Sequence, residues 1–231
     1  WPAWFDLQKD RRAAWVDEWY AHMEAESLKP GKMHPLQLSL DVQEQMGDDD
    51  WLIFDGGNTH FWSEIAVNMA GARGQKLGGI MHPGNYSLLG VGVSFGVSAK
   101  SLHPDRNVVV ISGDGAFLSG GLSIESAFQD NLPITIVIDN NGGLDCISQQ
   151  QERLFANGKH FATDFRDIPF HTMCEGMGGY GELVETRDQL APALQRAMAS
   201  GMVAIVNVKC RGVISPIVAA TSDKRDKASI E

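Results

Sequence analysis

Apolar residues in the middle of this chain come in short unbroken runs rather than in alternation with polar ones. Trp51-Leu52-Ile53-Phe54, Asn107-Val108-Val109-Val110-Ile111-Ser112, Ile134-Thr135-Ile136-Val137-Ile138 and Val203-Ala204-Ile205-Val206-Asn207-Val208 are each four to six residues long and mostly β-branched. Strands look like this when a parallel sheet buries both of their faces. Between them lie longer segments of helical character, roughly 59–70, 88–101, 119–130, 167–177 and 188–200. Strand and helix in alternation predict an α/β fold, a mostly parallel sheet with helices on both faces. Ahead of the first run, Trp15, Trp19 and Met23 recur at four-residue steps, one face of a helix over 11–27. A second helix is predicted over 35–46, closed by Gly47 and an aspartate turn. The stretch 142–162 shows little periodicity and reads as a long loop, which in a compact domain is usually functional.

Composition narrows the class. Of the 231 residues, 43% are hydrophobic and 21% charged, the make-up of a folded globular chain. The net charge of −10 argues against nucleic acid or an acidic membrane surface as partner. Cys146, Cys174 and Cys210 have no metal-ligand spacing and make no disulfide framework, so a reduced, cytoplasmic protein is expected. No apolar run approaches the roughly 20 residues of a membrane span, and the opening residues lack the basic-then-apolar pattern expected of a secretory leader.

Three of the four strong strands end in glycine- or asparagine-rich turns: Asp55-Gly56-Gly57, Gly113-Asp114-Gly115 and Asn140-Asn141-Gly142-Gly143. Ligands of open parallel sheets sit beyond the carboxyl ends of the strands, so these turns should share one edge. Glycines let backbone amides approach an anion, and the start of a following helix offers free N–H groups. Asp114 would repel a phosphate unless a cation lay between them. Mg2+ fits, because it takes one or two protein oxygens together with phosphate oxygens and water. Either turn alone is an ordinary turn; the pair, one βαβ unit apart, is far more specific.

Gly113-Asp114-Gly115, with Asn141 following 27 residues after Asp114, resembles the signature of thiamine-diphosphate-dependent enzymes. The resemblance implies metal ligation by Asp114, Asn141 and the Gly143 carbonyl, and diphosphate contacts at Gly113, Gly115 and Ala116. Asp55 to Trp62 is similar to a strand-end segment of acetohydroxyacid synthases whose two polar residues touch the diphosphate; Asn58 and Thr59 take those places, where relatives often carry Gln-His. Ser87-Leu88-Leu89-Gly90-Val91-Gly92 is similar to the segment in which a bulky apolar residue wedges the cofactor into its bent form and a carbonyl two residues earlier meets the aminopyrimidine. Leu89 and Ser87 match those positions. The similarity covers about 35–218, and residues 1–34 look like the end of a preceding middle domain, with 219–231 a charged tail.

What the resemblance implies follows from these matches. The cofactors are thiamine diphosphate and Mg2+, and the function is 2-oxo acid decarboxylation with carboligation, as in acetohydroxyacid synthases. The alternative is C–C cleavage like that of 2-hydroxyacyl-CoA lyases and oxalyl-CoA decarboxylases, to which 116–143 is also close. In this family a Glu on a pyrimidine-binding domain activates the cofactor. Glu44, Glu64 and Glu125 do not sit in its motif. The catalytic Glu is therefore expected on a partner chain, in a hetero-oligomer for which the family suggests α2β2, or in a longer chain of which this one is a fragment. A non-catalytic structural or regulatory subunit is the rival from another class, opposed by the intact metal positions. A dinucleotide-binding domain would want Gly-x-Gly-x-x-Gly after the first strand, which Gly56-Gly57-Asn58-Thr59 does not provide. His60, His82, His160 and His171 are candidates for a substrate pocket. Lys159, Asp145 and Cys146 are further residues near the cofactor or the loop, with a solvated or buried role as the ordinary alternative.

Overall fold

In a computed structural model, residues 1–27, 29, 31–155 and 158–222 are described. Six strands form one sheet: β1 (Trp51–Phe54), β2 (Gly79–Met81), β3 (Val108–Gly113), β4 (Thr135–Asn140), β5 (Tyr180–Val184) and β6 (Ala204–Lys209). Their order is β2-β1-β3-β4-β6-β5, and every neighbouring pair is parallel.

Successive side chains along each strand serve opposite faces, which explains the unbroken apolar runs. Leu52, Phe54, Val109, Ile111, Val137 and Val206 enter a core shared with Leu38 and Val42 of α2 (Pro35–Glu44) and Leu190 and Leu194 of α9 (Arg187–Ala199). Ile53, Val108, Val110, Ile136, Ile138 and Ile205 enter the other, with Val93 of α4 (Gly92–Leu102), Ile124 of α6 (Ile124–Gln129) and Phe170 of α8 (Phe170–Gly176). Each such side chain contributes about 1.5–3 kcal/mol by leaving water, and neither face could be exposed without losing half the core.

A third cluster joins the lead-in to the sheet domain. Met23 of α1 (Pro2–Ser27) packs with Leu36 and Leu40 of α2 and Trp62, Ile65 and Met69 of α3 (Asn58–Ala72). Trp19 meets Trp62 edge-on at 5.9 Å, and the Arg73 guanidinium lies over the Tyr20 ring. The 11–27 periodicity thus marks the packed part of α1, while the helix runs on to Pro2 with Trp1, Trp4 and Phe5 exposed.

Several boundaries differ from expectation. The stretch 142–162 contains α7 (Asp145–Leu154). The helix expected over 88–101 starts only at Gly92, after a 3-10 turn at Gly84–Tyr86 and an irregular passage. The helix expected over 119–130 is α5 (Asp114–Gly120), a 3-10 turn and α6. α10 (Pro216–Ser222) spans the boundary drawn at 218, and the charged residues after Ser222 lie outside the described residues. Among the described residues no helix is long and apolar enough to cross a membrane.

Topology fixes where a ligand can go. From β1 the chain steps outward to β2 and then returns to β3 on the other side of β1. Crossovers that leave in opposite directions open a crevice at the carboxyl ends of β1 and β3.

Candidate functional site

A cavity of about 230 Å3 lies at that edge. The ten residues singled out from the sequence all line it: Asn58 and Thr59 after β1, Ser87 and Leu89 in the passage before α4, Gly113, Asp114, Gly115 and Ala116 after β3, and Asn141 and Gly143 after β4. Gly56 and Gly57 also line it, and Leu144, Asp145, Cys146 and Ile147 complete the wall. Of these last four, Leu144 and Ile147 carry no sequence signal that separates them from core residues.

Asp114 is the most constrained group. It is buried, its Oδ1 accepts from the Gly115 amide at 2.7 Å, and its Oδ2 accepts from the Gly142 and Gly143 amides at 2.7 and 3.0 Å. One carboxylate thereby fastens the β4 turn to the start of α5. Burial nonetheless pushes its carboxyl up to about 6, against the pull of the three amides. A buried carboxylate raised this far is a group that a cation would stabilise in its charged form. The Asn141 Oδ1, which accepts from the Gly143 amide at 3.2 Å, offers a neutral oxygen nearby. A carboxylate, an amide oxygen and a backbone carbonyl make a hard, all-oxygen donor set, and such a set fits Mg2+.

The side chains of Asn58 and Thr59 are committed elsewhere. Asn58 Nδ2 donates to Asp145 Oδ2 and to the Val213 carbonyl, and its Oδ1 accepts from the Ser215 amide. Thr59 Oγ1 donates to Asp139 Oδ2 at 2.9 Å. What this segment offers the cavity is its backbone: α3 begins here after Gly57 with no side-chain cap. Its first-turn N–H groups and positive helix end are therefore available to an anion.

Two buried carboxylates without a role in the sequence reading hold the site from behind. Asp55 is fully buried at the end of β1; its Oδ1 accepts from the amides of Gly56, Gly90 and Val91, and its Oδ2 from the Ser112 hydroxyl. It ties the passage that carries Leu89 to β1 and β3. The carbonyl oxygen of Ser87 packs so closely on Gly56 that a Cβ there would lie 2.4 Å from it.

Asp139 sits behind Thr59, with its Oδ1 unpartnered and the Cys210 thiol against the carboxylate. Burial, with Asp114 adding negative charge, pushes it up to about 7. An unfolded Asp titrates near 3.9, so between about pH 4 and 7 the folded chain binds the extra proton. This group's contribution is then full below pH 4 and lost as pH rises through 7. Urea unfolding in EDTA should show the chain losing stability relative to Asp139→Asn from pH 5 to 8, by up to ~1.4 kcal/mol per pH unit. Parallel curves would remove Asp139 as the cause.

The other histidine candidates fall outside the wall. His160 pairs with Glu152 and Asp164, and His171 lies 3.3 Å from the Asn207 amide. His60 is one step behind the cavity, with Nδ1 3.1 Å from Ser87 Oγ and Nε2 3.1 Å from His82.

Residues 55–208 match the family described as the thiamine pyrophosphate enzyme C-terminal TPP binding domain, which takes in all three strand-end turns. The chain belongs to this family. Its cofactor is thiamine diphosphate. A probable acetolactate synthase of Mycobacterium bovis is 29% identical over 177 residues, 76% of this chain and 31% of that protein. A 2-hydroxyacyl-CoA lyase of Arabidopsis thaliana is 31% identical over 145 residues, 61% of this chain and 25% of the lyase. Among solved structures, a thiamine-diphosphate-dependent 4-hydroxybenzoylformate decarboxylase of Rhodococcus jostii superposes with a TM-score of 0.68 at 25% identity, over 81% of this chain and 34% of that one. This thiamine-diphosphate-family chain thus spans a quarter to a third of the length of these proteins.

Proposed function

We propose that this chain holds the diphosphate end of thiamine diphosphate through one Mg2+ ion, as the cofactor-binding part of a C–C lyase or ligase acting beside a carbonyl group. The observation that carries the reading is the meeting of Asp114, Asn141 and Gly143 with the uncapped start of α3 in one cavity. Asp114, Asn141 Oδ1 and the Gly143 carbonyl would hold the metal. The amides at the start of α3 and those of Gly115 and Ala116 would orient the phosphates. When bound, thiamine diphosphate supplies a carbon nucleophile and an electron sink for bond cleavage next to a carbonyl. Leu89, packed against Gly57 on the cavity wall, positions the bound cofactor, and Asp55 keeps that wall in place.

The cavity is completed by a pyrimidine-binding domain on another chain, which brings the activating Glu, in an α2β2-type assembly. Tyr86, Leu88, Leu118 and Leu122 support this: all are exposed, on two segments whose backbones touch at Gly90 and Gly120. Exposed apolar side chains gathered beside a ligand cavity suit a covering partner. The substrate is a 2-oxo acid, decarboxylated and then ligated to a second carbonyl compound. Similarity to 2-hydroxyacyl-CoA lyases favours one second reading, cleavage of a 2-hydroxyacyl-CoA. Assay of the assembled enzyme on both substrate classes separates the two, and inactivity on both, despite bound cofactor, would favour a structural or regulatory subunit.

In that assembled enzyme Leu89→Ala should lower kcat by about 10- to 100-fold through loss of positioning, while cofactor affinity changes much less. Equal losses in kcat and affinity would contradict the wedge role.

A further inference from the structure

Behind the cavity wall three side chains converge that the proposed function leaves unused. His60 and Glu64 stand one turn apart on α3 and so share a face. His82 follows β2 and meets them from the side. His60 Nε2 is 3.1 Å from His82 Nδ1 and 3.2 Å from Glu64 Oε1, and one ligand atom from each of the three lies within 4.8 Å of the others. Ligands bound to zinc at 2.0–2.1 Å in tetrahedral geometry stand about 3.3 Å apart. Little movement separates the observed spacing from a coordination shell.

The surroundings orient the rings for that role. Ser87 Oγ is 3.1 Å from His60 Nδ1, the nitrogen turned away from the cluster, as the outer partner of a metal-ligating imidazole is. The Phe61 ring stacks on His60 and the Phe54 ring on His82, with centroids 5.2 and 5.0 Å apart. Burial lowers the His60 pKa, which keeps a lone pair available. At His82 the Gly84 amide donates to Nδ1 at 3.2 Å, a long bond that a metal ion at that nitrogen would replace.

We propose that His60, Glu64 and His82 bind one divalent transition-metal ion of the zinc class. Two imidazoles and a carboxylate are a zinc donor set that leaves a position open, unlike the all-oxygen set at Asp114. His82 is exposed and Glu64 partly so, which puts the open position toward solvent or an outside ligand. The inference does not depend on the proposed function.

Zn2+ titration of the whole chain against a chromophoric chelator tests it. One equivalent should bind, with affinity falling at least about tenfold in Glu64→Gln and in His82→Asn. Both side chains reach the surface, so these variants should keep the wild-type far-UV circular dichroism. His160→Asn and Cys146→Ser should bind Zn2+ as the wild type does. Absence of stoichiometric binding, or loss at His160 or Cys146 in place of His82 and Glu64, would overturn the assignment.

Discussion

Replacing Asp114 with alanine should abolish Mg2+-dependent binding of thiamine diphosphate. The carboxylate is the one charged oxygen donor of the proposed metal set, and the described cavity residues include no Lys or Arg that could offset a diphosphate without the metal. Wild-type chain held at a cofactor concentration of 100 times Kd gains about 2.7 kcal/mol of stability from binding; the variant should gain none. The substitution also leaves the amides of Gly115 and Gly142 without their acceptor and that of Gly143 with only Asn141 Oδ1, so its own stability drops. Asn141→Ala, which releases one amide contact only, supplies a milder arm with weakened rather than abolished binding. Unchanged affinity in Asp114→Ala would contradict the metal site.

The second large effect concerns stability. Asp55→Ala should destabilise the chain by about 3–5 kcal/mol, toward the extreme of single substitutions. Three backbone amides would lose their acceptor around a fully buried side chain, and the Ser112 hydroxyl would keep only the Gly113 carbonyl. An unmet buried donor costs about 1–3 kcal/mol before relaxation. Domains of this kind are stable by only about 5–15 kcal/mol, so the alanine variant stands close to unfolding. Asp55→Asn keeps an acceptor for the amides and should lose about 1–2 kcal/mol. Urea unfolding of both measures this, and a loss below 1 kcal/mol in Asp55→Ala would mean that Asp55 does not hold the Leu89 passage.

The central strands were legible because burial on both faces writes itself as an apolar run. The edges were not. β2 is Gly79-Ile80-Met81, and β5 contains Gly181 and Glu182; each pairs on one side only and has no run to show. α7 has no apolar run to announce it, because Gln149 to Arg153 is a wholly polar stretch that carries helix propensity alone. Local character puts residues 88–91 in a helix. Their path is set instead by distant partners: the Asp55 carboxylate bonds to Gly90 and Val91, and Gly120 packs on Gly90 so closely that a Cβ would lie 2.0 Å from its carbonyl oxygen.

The same contrast holds at the cavity. Residues placed by strand ends could be named in advance, because a parallel sheet brings its carboxyl ends to one edge. Asp55 and Asp139 could not be assigned a role, since each owes its importance to partners more than 30 residues away. The signal at Asp55 was its place between a buried strand and two glycines, whose amides need an acceptor once water is gone. The resemblance gives Asn58 and Thr59 a contact with the diphosphate; both side chains are engaged with protein, and the helix start they form offers its backbone to the cavity.

The measurement that bears most directly on the central claim is native mass spectrometry of the protein from its source, kept in Mg2+. The account predicts an assembly in which this chain travels with a pyrimidine-binding domain on a second polypeptide and carries the added mass of thiamine diphosphate. An assembly of this chain alone, without the cofactor, would contradict it.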